Sequence, residues 1–238
     1  MTICCFDWDD TLFPTHFLVQ LATYQRVAFL EVILSDVERS FFDSLDAHVC
    51  NLLQRCAERA MTKVMIVTNS DDGWTIATAA KFMPLVHALL ISTPVTRKSV
   101  VEVISAKVPS LQITTMPCVW KYLAFEQILM THPDITTFLS IGDSDQEKMA
   151  VGQLRRRHPH VRCVSLKTIP NPTPAALLGQ TIHLTACLDS LHDPSLDWSI
   201  RTYDAKNVES REGYPVRGNG DSLSHRRRST GRRLGTTS

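Results

Sequence analysis

Glycine is scarce in this sequence and unevenly placed. Only nine of the 238 residues are glycine, and five of those nine lie after residue 200. The first 200 residues therefore contain neither the glycine-rich loop of P-loop nucleotide-binding proteins nor the GxGxxG turn that binds dinucleotides. The GxSxG sequence of many serine hydrolases is absent as well. A phosphate group bound by this chain would have to be held in another way.

Cysteine and histidine lack the spacing of disulfide or zinc frameworks. The seven cysteines form an odd number without a CxxC pair, and the nine histidines include no HxxxH pair. Several cysteines lie in apolar runs, where a free thiol behaves as a small hydrophobic group. We therefore expect no disulfide scaffold and no structural zinc, and we expect the protein to work in a reducing compartment.

Long hydrophobic runs are missing too. No run approaches the roughly 18 apolar residues that a membrane span requires. Asp7, Asp9 and Asp10 come before any apolar stretch of signal-peptide length. These absences lead us to expect a cytoplasmic protein without a membrane partner.

The net charge of +1 is the sum of two segments of opposite sign. Residues 201–238 contain nine basic and four acidic side chains, whereas residues 1–200 contain 16 basic and 20 acidic ones. The acidic balance of the longer segment argues against a basic nucleic-acid-binding domain. We predict one catalytic domain over residues 1–193 and a basic tail over residues 194–238. The tail has too little apolar surface to fold, so we expect it to be disordered.

The tail contains two short basic patterns. Arg226–Arg228 followed by Ser229 matches a site for basophilic kinases, and the same arginines with Arg232 and Arg233 resemble a nuclear localisation or nucleic-acid-binding patch. Such patches are common in tails that are simply solvated, and a solvated tail is the more frequent explanation of the pattern. A nuclear location and nucleic-acid contact through the tail stay open as alternatives.

Short apolar runs alternate with longer stretches of helical period. We predict five strands, at Thr2–Asp7, Lys63–Thr68, His87–Ser92, Thr136–Gly142 and Val161–Leu166. Helices are predicted around Phe17–Ala28 and Phe41–Leu52, over Trp74–Phe82, Lys121–Thr131, Asp145–Arg156 and Pro174–Ser190, and as a weak patch at Val100–Ile104. Runs that are apolar almost without alternation are typical of strands buried on both faces. The pattern predicts an α/β fold, a doubly wound parallel five-stranded sheet, with a small helical insert at about residues 13–61.

Polar side chains follow three of the predicted strands. The strand ends read Asp7-Trp8-Asp9-Asp10-Thr11, Thr68-Asn69-Ser70 and Gly142-Asp143-Ser144-Asp145, with Glu147 just beyond. Ligands of open parallel sheets bind outside the carboxyl ends of the strands, so these side chains should meet at one edge. Carboxylates packed so closely repel one another unless a cation or a proton relieves them. Because all-oxygen ligands suit Mg²⁺ better than zinc, we predict a Mg²⁺ site there.

Such a cluster is suited to phosphoryl chemistry. One carboxylate can attack phosphorus and form an aspartyl-phosphate, while the metal, a lysine and backbone N–H groups neutralise the phosphoryl charge. A second carboxylate can protonate the leaving oxygen and later activate water. Asp7 and Asp9 lie two residues apart where the chain leaves the strand, so Asp7 can reach the metal while Asp9 turns toward the leaving group.

The segment Phe6-Asp7-Trp8-Asp9-Asp10-Thr11-Leu12 resembles the first motif of the haloacid dehalogenase-like (HAD) superfamily of aspartate-nucleophile hydrolases. The order of the other elements is also similar to that of the superfamily: a strand ending in Thr68, then a helix-start lysine at Lys121, then the segment 142–147. The resemblance covers roughly residues 1–190. The resemblance implies that Asp7 is the nucleophile and a metal ligand, and that Asp9 is the general acid/base with its backbone carbonyl on the metal. It also implies phosphoryl binding by Thr68 and the N–H of Asn69, charge neutralisation by Lys121, completion of the Mg²⁺ site by Asp143, and its orientation by Glu147.

Departures from the motif pattern also carry information. Dehalogenases of this superfamily lack a carboxylate at the position of Asp9 and ion-pumping ATPases carry threonine there, so Asp9 implies phosphate-ester hydrolysis or phosphoryl transfer. Glu147 stands where aspartate is more common. The long segment before Lys121 leaves Arg97 and Lys98 as alternatives for the role of that lysine.

We therefore predict a Mg²⁺-dependent phosphohydrolase that cleaves a phosphate monoester. The small insert favours a bulky substrate, such as a phosphoprotein, or a cap supplied by another subunit. A phospholigand-binding or interaction protein without turnover, and a phosphotransferase such as a mutase, stay open as alternatives. Trp8, Trp74 and Trp120 lie near the motifs and could form an aromatic rim, although packing is the more frequent role of each.

Overall fold

A parallel sheet of six strands organises the computed structural model, which describes residues 1–92, 101–107, 117–192 and 200–202. The strands are β1 (Thr2–Phe6), β2 (Thr62–Thr68), β3 (Val101–Ser105), β4 (Thr137–Gly142), β5 (Arg162–Lys167) and β6 (Ile200–Thr202). They pair in the order β3-β2-β1-β4-β5-β6, and all pairs are parallel. The carboxyl end of β1 is therefore flanked by those of β2 and β4.

Helices cover both faces of this sheet. They are α1 (Thr15–Gln25), α2 (Asp36–Ala57), α3 (Trp74–Phe82), α4 (Pro84–Ile91), α5 (Pro117–Thr131), α6 (Asp145–Arg157), α7 (Pro174–Ala186) and α8 (Leu188–His192). Alternate residues of β1 enter opposite cores: Cys4 and Phe6 pack with α2, α4 and α7, whereas Ile3 and Cys5 pack with α5 and α6. The predicted doubly wound arrangement is confirmed as a Rossmann-like α/β fold. No helix among the described residues is long and apolar enough to cross a membrane.

The predicted third strand is wrong. His87–Ser92 falls at the end of α4, which begins with Pro84 at its first position. Two of the first backbone N–H groups of α4 donate to the buried carboxylate of Asp46 on α2, at 2.8 and 2.9 Å. The third strand is Val101–Ser105 instead, where we predicted a weak helical patch. A short apolar run fits a buried strand and a buried helix equally well, and here the proline and the cap favour the helix.

The connection from β1 to β2 contains α1, a 3₁₀ turn at Phe29–Glu31 and α2. Helix α2 packs beside α7 and α4 on one face of the sheet, so only α1 and the 3₁₀ turn are additional to a simple crossover. Strand β6 lies within residues 194–238 and adds a sixth strand to the sheet, beside β5. Residues 203–238, with both basic patterns, lie outside the described residues.

Candidate active site

A tight turn follows β1 at the centre of the carboxyl edge. The N–H of Asp7 still bonds to a carbonyl of β4 at 2.8 Å, so the strand pairing extends to this residue. The carbonyl of Trp8 then accepts from three N–H groups later in the turn, and Asp10 has a left-handed φ of 55°. The buried Trp8 indole stacks on Phe13 and donates to Thr78 Oγ1 at 3.0 Å. Trp8 therefore anchors the turn in the core and is not part of a rim.

Lys121 connects the ends of β1 and β2 with α6. Its ammonium group donates to Asp7 Oδ1 at 2.6 Å and to the carbonyl of Val67 at the end of β2. The ammonium group also lies 3.2 Å from Glu147 Oε1 on α6. The side chain of Lys121 is only 1% exposed. A buried ammonium needs such partners, since an unpaired one would carry a large desolvation cost.

Burial disfavours the ionised forms of the carboxyl groups at this edge, and Lys121 offsets this effect only in part. Burial raises the pKa of Asp7 to about 8, against the opposing effect of Lys121. Burial, together with the charges of Glu147 and Asp10, raises the pKa of Asp143 to about 7. Burial alone would lower the pKa of Lys121, but the charges of Asp7 and Glu147 outweigh it and the net shift is upward. These shifts favour a cationic Lys121. A second cation would lower the pKa values of Asp7 and Asp143 and so favour their ionised forms.

Asp9 is held by four side-chain donors. Its Oδ1 accepts from Thr15 Oγ1 at 2.5 Å and from Trp74 Nε1 at 2.9 Å. Its Oδ2 accepts from Ser70 Oγ at 2.7 Å and from Thr68 Oγ1 at 3.1 Å. These donors come from the start of α1, the end of β2 and the start of α3. The carboxylate of Asp9 is therefore fixed in place beside the hydroxyl of Thr68.

The end of β2 is stabilised by a hydrogen bond within the turn that follows it and by contacts with α5 and α6. Thr68 Oγ1 accepts from the N–H of Ser70 at 3.0 Å while it donates to Asp9. The Asn69 amide donates to Gln146 Oε1 at 2.5 Å and to the carbonyl of Pro117 at 3.4 Å. Asn69 thereby links β2 to the starts of α5 and α6, the helices that carry Lys121 and Glu147.

Glu147 is buried, and both of its carboxylate oxygens are engaged. Oε1 faces Lys121, and Oε2 accepts from the hydroxyl of Ser144, the N-cap of α6. Gly142 at the end of β4 makes room for this side chain: a Cβ there would lie 2.6 Å from Glu147 Cγ. In this arrangement Glu147 positions Lys121, a contact that the sequence pattern did not indicate.

The described residues include no cluster of three His, Cys, Asp or Glu side chains suited to hold a metal ion on their own. Asp7 and Asp143 nonetheless offer carboxylate oxygens, and because burial raises the pKa of both groups, a bound cation would favour their ionised forms. Mg²⁺ typically uses one or two protein carboxylates and keeps several waters, so this donor set suits it in charge and chemistry.

The structure brings together Asp7, Asp9, Thr68, Lys121 and Glu147, and places Asn69 and Asp143 at the same edge. Sequence reasoning missed the three further partners of Asp9: Thr15, Ser70 and Trp74. Asp145 is exposed and pairs with Lys167 at 2.6 Å. Arg97 and Lys98, the alternatives to Lys121, lie outside the described residues.

Comparisons of the chain with protein-family models, with curated proteins and with solved structures found no match.

Proposed function

We propose that this protein is a Mg²⁺-dependent phosphohydrolase of the HAD-like type that cleaves a phosphate monoester through an aspartyl-phosphate on Asp7. One observation carries the proposal: the buried Lys121, 114 residues after Asp7 in the chain, donates a hydrogen bond to Asp7. Asp9, two residues after Asp7, accepts a hydrogen bond from the hydroxyl of Thr68 at the end of β2. A nucleophile, an acid/base, a phosphoryl-binding hydroxyl and a neutralising cation are the groups that phosphoryl transfer requires.

In the first half-reaction, the Asp7 oxygen that is not bonded to Lys121 attacks phosphorus. The bond from phosphorus to the ester oxygen breaks, and that oxygen takes the proton of Asp9 and leaves as the alcohol. Lys121 offsets the charge of Asp7 and of the phosphoryl group, while Thr68 and the N–H of Asn69 donate to the phosphoryl oxygens.

In the second half-reaction, ionised Asp9 takes a proton from water. The resulting hydroxide attacks phosphorus, the bond from phosphorus to Asp7 breaks, and inorganic phosphate leaves. Asp7 is again a carboxylate and Asp9 is again protonated, so the cycle closes.

Mg²⁺ would be held by Asp7, Asp143 and the backbone carbonyl of Asp9, and when bound it would supply charge neutralisation at the phosphoryl oxygens. The arrangement of Glu147 supports a different role for that residue than metal orientation, because Lys121 and Ser144 occupy its two oxygens.

The substrate is proposed to be a bulky phosphorylated molecule, such as a phosphoprotein. Helix α2 packs on the sheet face, so within the described connection from β1 to β2 only α1 and the 3₁₀ turn are available to cover the site. A cap supplied by a second subunit would fit the same observation and would instead favour a small substrate.

The test is Mg²⁺-dependent hydrolysis of p-nitrophenyl phosphate by the wild type, Asp7→Asn and Asp72→Asn, an exposed aspartate after β2 that serves as the matched control. We expect Asp7→Asn to lose activity by about 10⁴-fold or more, because the variant has no carboxylate nucleophile, and Asp72→Asn to keep it. Equal rates for wild type and Asp7→Asn would reject the mechanism. No activity over a broad panel of phosphate esters would favour a binding protein, and transfer to an added alcohol would favour a phosphotransferase.

A further inference from the structure

Helix α6 runs from the candidate active site toward the opposite edge of the sheet. Its first turn carries Glu147, which contacts Lys121, and its last turn ends at Arg157. Its 13 residues span about 20 Å at 1.5 Å per residue. One face of the helix packs into the core through Val151 and Leu154, and the other face is turned outward.

The outward face of α6 forms a shallow groove with both apolar and charged surface. The α6 groove has a volume of about 520 Å³, and its lining residues are Asp145, Lys148, Met149, Gly152, Gln153 and Arg156. The side chain of Met149 is 54% exposed. A methyl group on Gly152 would meet no atom within 4 Å, so the helix backbone is open there to the close approach of another chain. The groove therefore offers apolar contact as well as charge.

Positive charge collects at the far end of the α6 groove. Arg155–Arg157 follow one another in the last turn, and all three are exposed. Among the described residues, only the third of them has a carboxylate within ion-pair distance, that of Glu126 at 3.9 Å. The acidic residue of the groove, Asp145, is paired with Lys167 at 2.6 Å. The groove and its far end therefore attract a negatively charged partner.

An acidic peptide segment suits this surface better than a nucleic acid does. Exposed methionine adapts to the apolar side chains of a partner, and an acidic peptide can carry such side chains between its carboxylates. Binding a nucleic acid requires many basic contacts with its phosphates. Residues 1–200 instead contain 16 basic and 20 acidic side chains, so their overall charge disfavours a polyanion.

We propose that the α6 groove is a docking surface for an acidic segment of the phosphoprotein substrate, with Arg155 and Arg156 contacting its carboxylates. This inference rests on the proposed function, in which the phosphorylated residue of the substrate meets Asp7. An extended chain rises about 3.3 Å per residue, so about six residues cover the length of α6. The acidic side chains should therefore lie about six positions from the phosphorylated residue.

The experiment measures kcat/KM for the full chain on three synthetic phosphoserine peptides. The distal peptide has glutamates at about positions six and seven on both sides of the phosphoserine, the distance that α6 requires. The neutral peptide has glutamines at those positions, and the proximal peptide has its glutamates beside the phosphoserine instead. We expect wild type to prefer the distal over the neutral peptide by about 5- to 10-fold at low salt, the range for two or three exposed ion pairs. The preference should disappear at about 1 M salt, because exposed charges are then screened.

The charge-reversed variant Arg155→Glu/Arg156→Glu should lose this preference and keep the wild-type rate on p-nitrophenyl phosphate, which is too small to reach the arginines. The matched control is Arg39→Glu/Arg55→Glu, which makes the same change of charge at two exposed positions of α2 on the other face of the sheet. Arg55 also lies in the last turn of its helix, so the control shares any effect on the helix dipole. It should keep the preference for the distal peptide. Arg156→Gln, a milder change, should reduce the preference about twofold.

Equal kcat/KM values for the distal and neutral peptides in wild type would overturn the inference. An equal loss of preference in the two double variants would do the same, since it would trace the effect to net charge rather than to the α6 groove. A proximal peptide preferred as strongly as the distal one would contradict the proposed distance. Equal peptide rates together with inhibition by a single-stranded oligonucleotide would assign the groove to nucleic acid. The proposed function fails in a different way: wild type would hydrolyse neither the peptides nor p-nitrophenyl phosphate.

Discussion

Lys121 Nζ lies 2.6 Å from Asp7 Oδ1, although 114 residues separate the two in the chain. The contact joins the central strand β1 to helix α5 on one face of the sheet, and Val67 and Glu147 complete the surroundings of the ammonium group. A buried lysine with two carboxylates is costly to desolvate and sensitive to the loss of any member. The edge is thus organised around a charge cluster, with consequences for both stability and activity.

Replacing Lys121 should therefore be severe. Lys121→Met leaves Asp7 and Glu147 buried without their cation, so we expect the free energy of unfolding to fall by about 3–5 kcal/mol. Urea denaturation measures this change, and phosphatase assays on the folded fraction should show loss of activity. Lys107→Met removes an exposed lysine paired with Asp71 and should cost less than about 1 kcal/mol. Similar costs for the two variants would contradict the buried cluster.

Gly142 should tolerate a methyl group poorly. In Gly142→Ala the new Cβ would meet Glu147 Cγ at 2.6 Å, so Glu147 must move and its contact with Lys121 weakens. We expect lower thermal stability and lower activity together. Gly152→Ala, in the interior of α6 with open space around it, should instead gain about 0.5–1 kcal/mol and keep its activity. If Gly142→Ala matched Gly152→Ala in both measurements, the packing of Glu147 would not matter.

Asp46 should give the protein a specific pH dependence. Burial raises the pKa of Asp46 above its ordinary value of 3.8, although two backbone N–H groups of α4 oppose the shift. The native state therefore binds this proton more tightly than the unfolded state, so stability is lost as the pH rises through the raised native pKa. The difference in unfolding free energy between wild type and Asp46→Asn should be most favourable to the wild type below pH 3.8 and then decline. Urea titrations at several pH values measure it, and a difference that grows with pH would refute the sign.

Mg²⁺ should stabilise the folded protein through Asp143. A ligand that binds only the native state adds about 2.7 kcal/mol at 100 times its dissociation constant. We expect the melting temperature of the wild type to rise with added Mg²⁺ and that of Asp143→Asn to rise much less. Asp72→Asn, exposed after β2, should respond as the wild type does. An unchanged response in Asp143→Asn would place any bound Mg²⁺ elsewhere.

Most of the sheet could be predicted from sequence because four strands are buried on both faces and read as continuous apolar runs. Strand β3 could not be, because it lies at an edge of the described sheet and carries the exposed Glu102 between two valines. Alternation over five residues is a weak signal, and the apolar run of α4 was stronger. What decided α4 was a cap from Asp46, 38 residues before its first residue, which no local pattern reveals.

The charged members of the site could be predicted for a similar reason. Asp7, Asp9 and Asp143 follow strand ends, and parallel strands bring their carboxyl ends to one edge. The hydrogen bonds that fix Asp9 depend on side-chain rotamers and on the turn after β2, which spacing does not determine. Ser70, two residues after Thr68, and Trp74, at the start of α3, were the available signals.

The most direct test of the account is to look for the phosphoryl group on Asp7. Wild type and Asp7→Asn would be mixed with a radiolabelled phosphate ester and Mg²⁺, quenched in acid, and digested to locate the label. The account predicts a hydroxylamine-sensitive label on the wild-type peptide that contains Asp7, and none on Asp7→Asn. Turnover without any label, together with Asp7→Asn hydrolysing the ester as fast as the wild type, would contradict it.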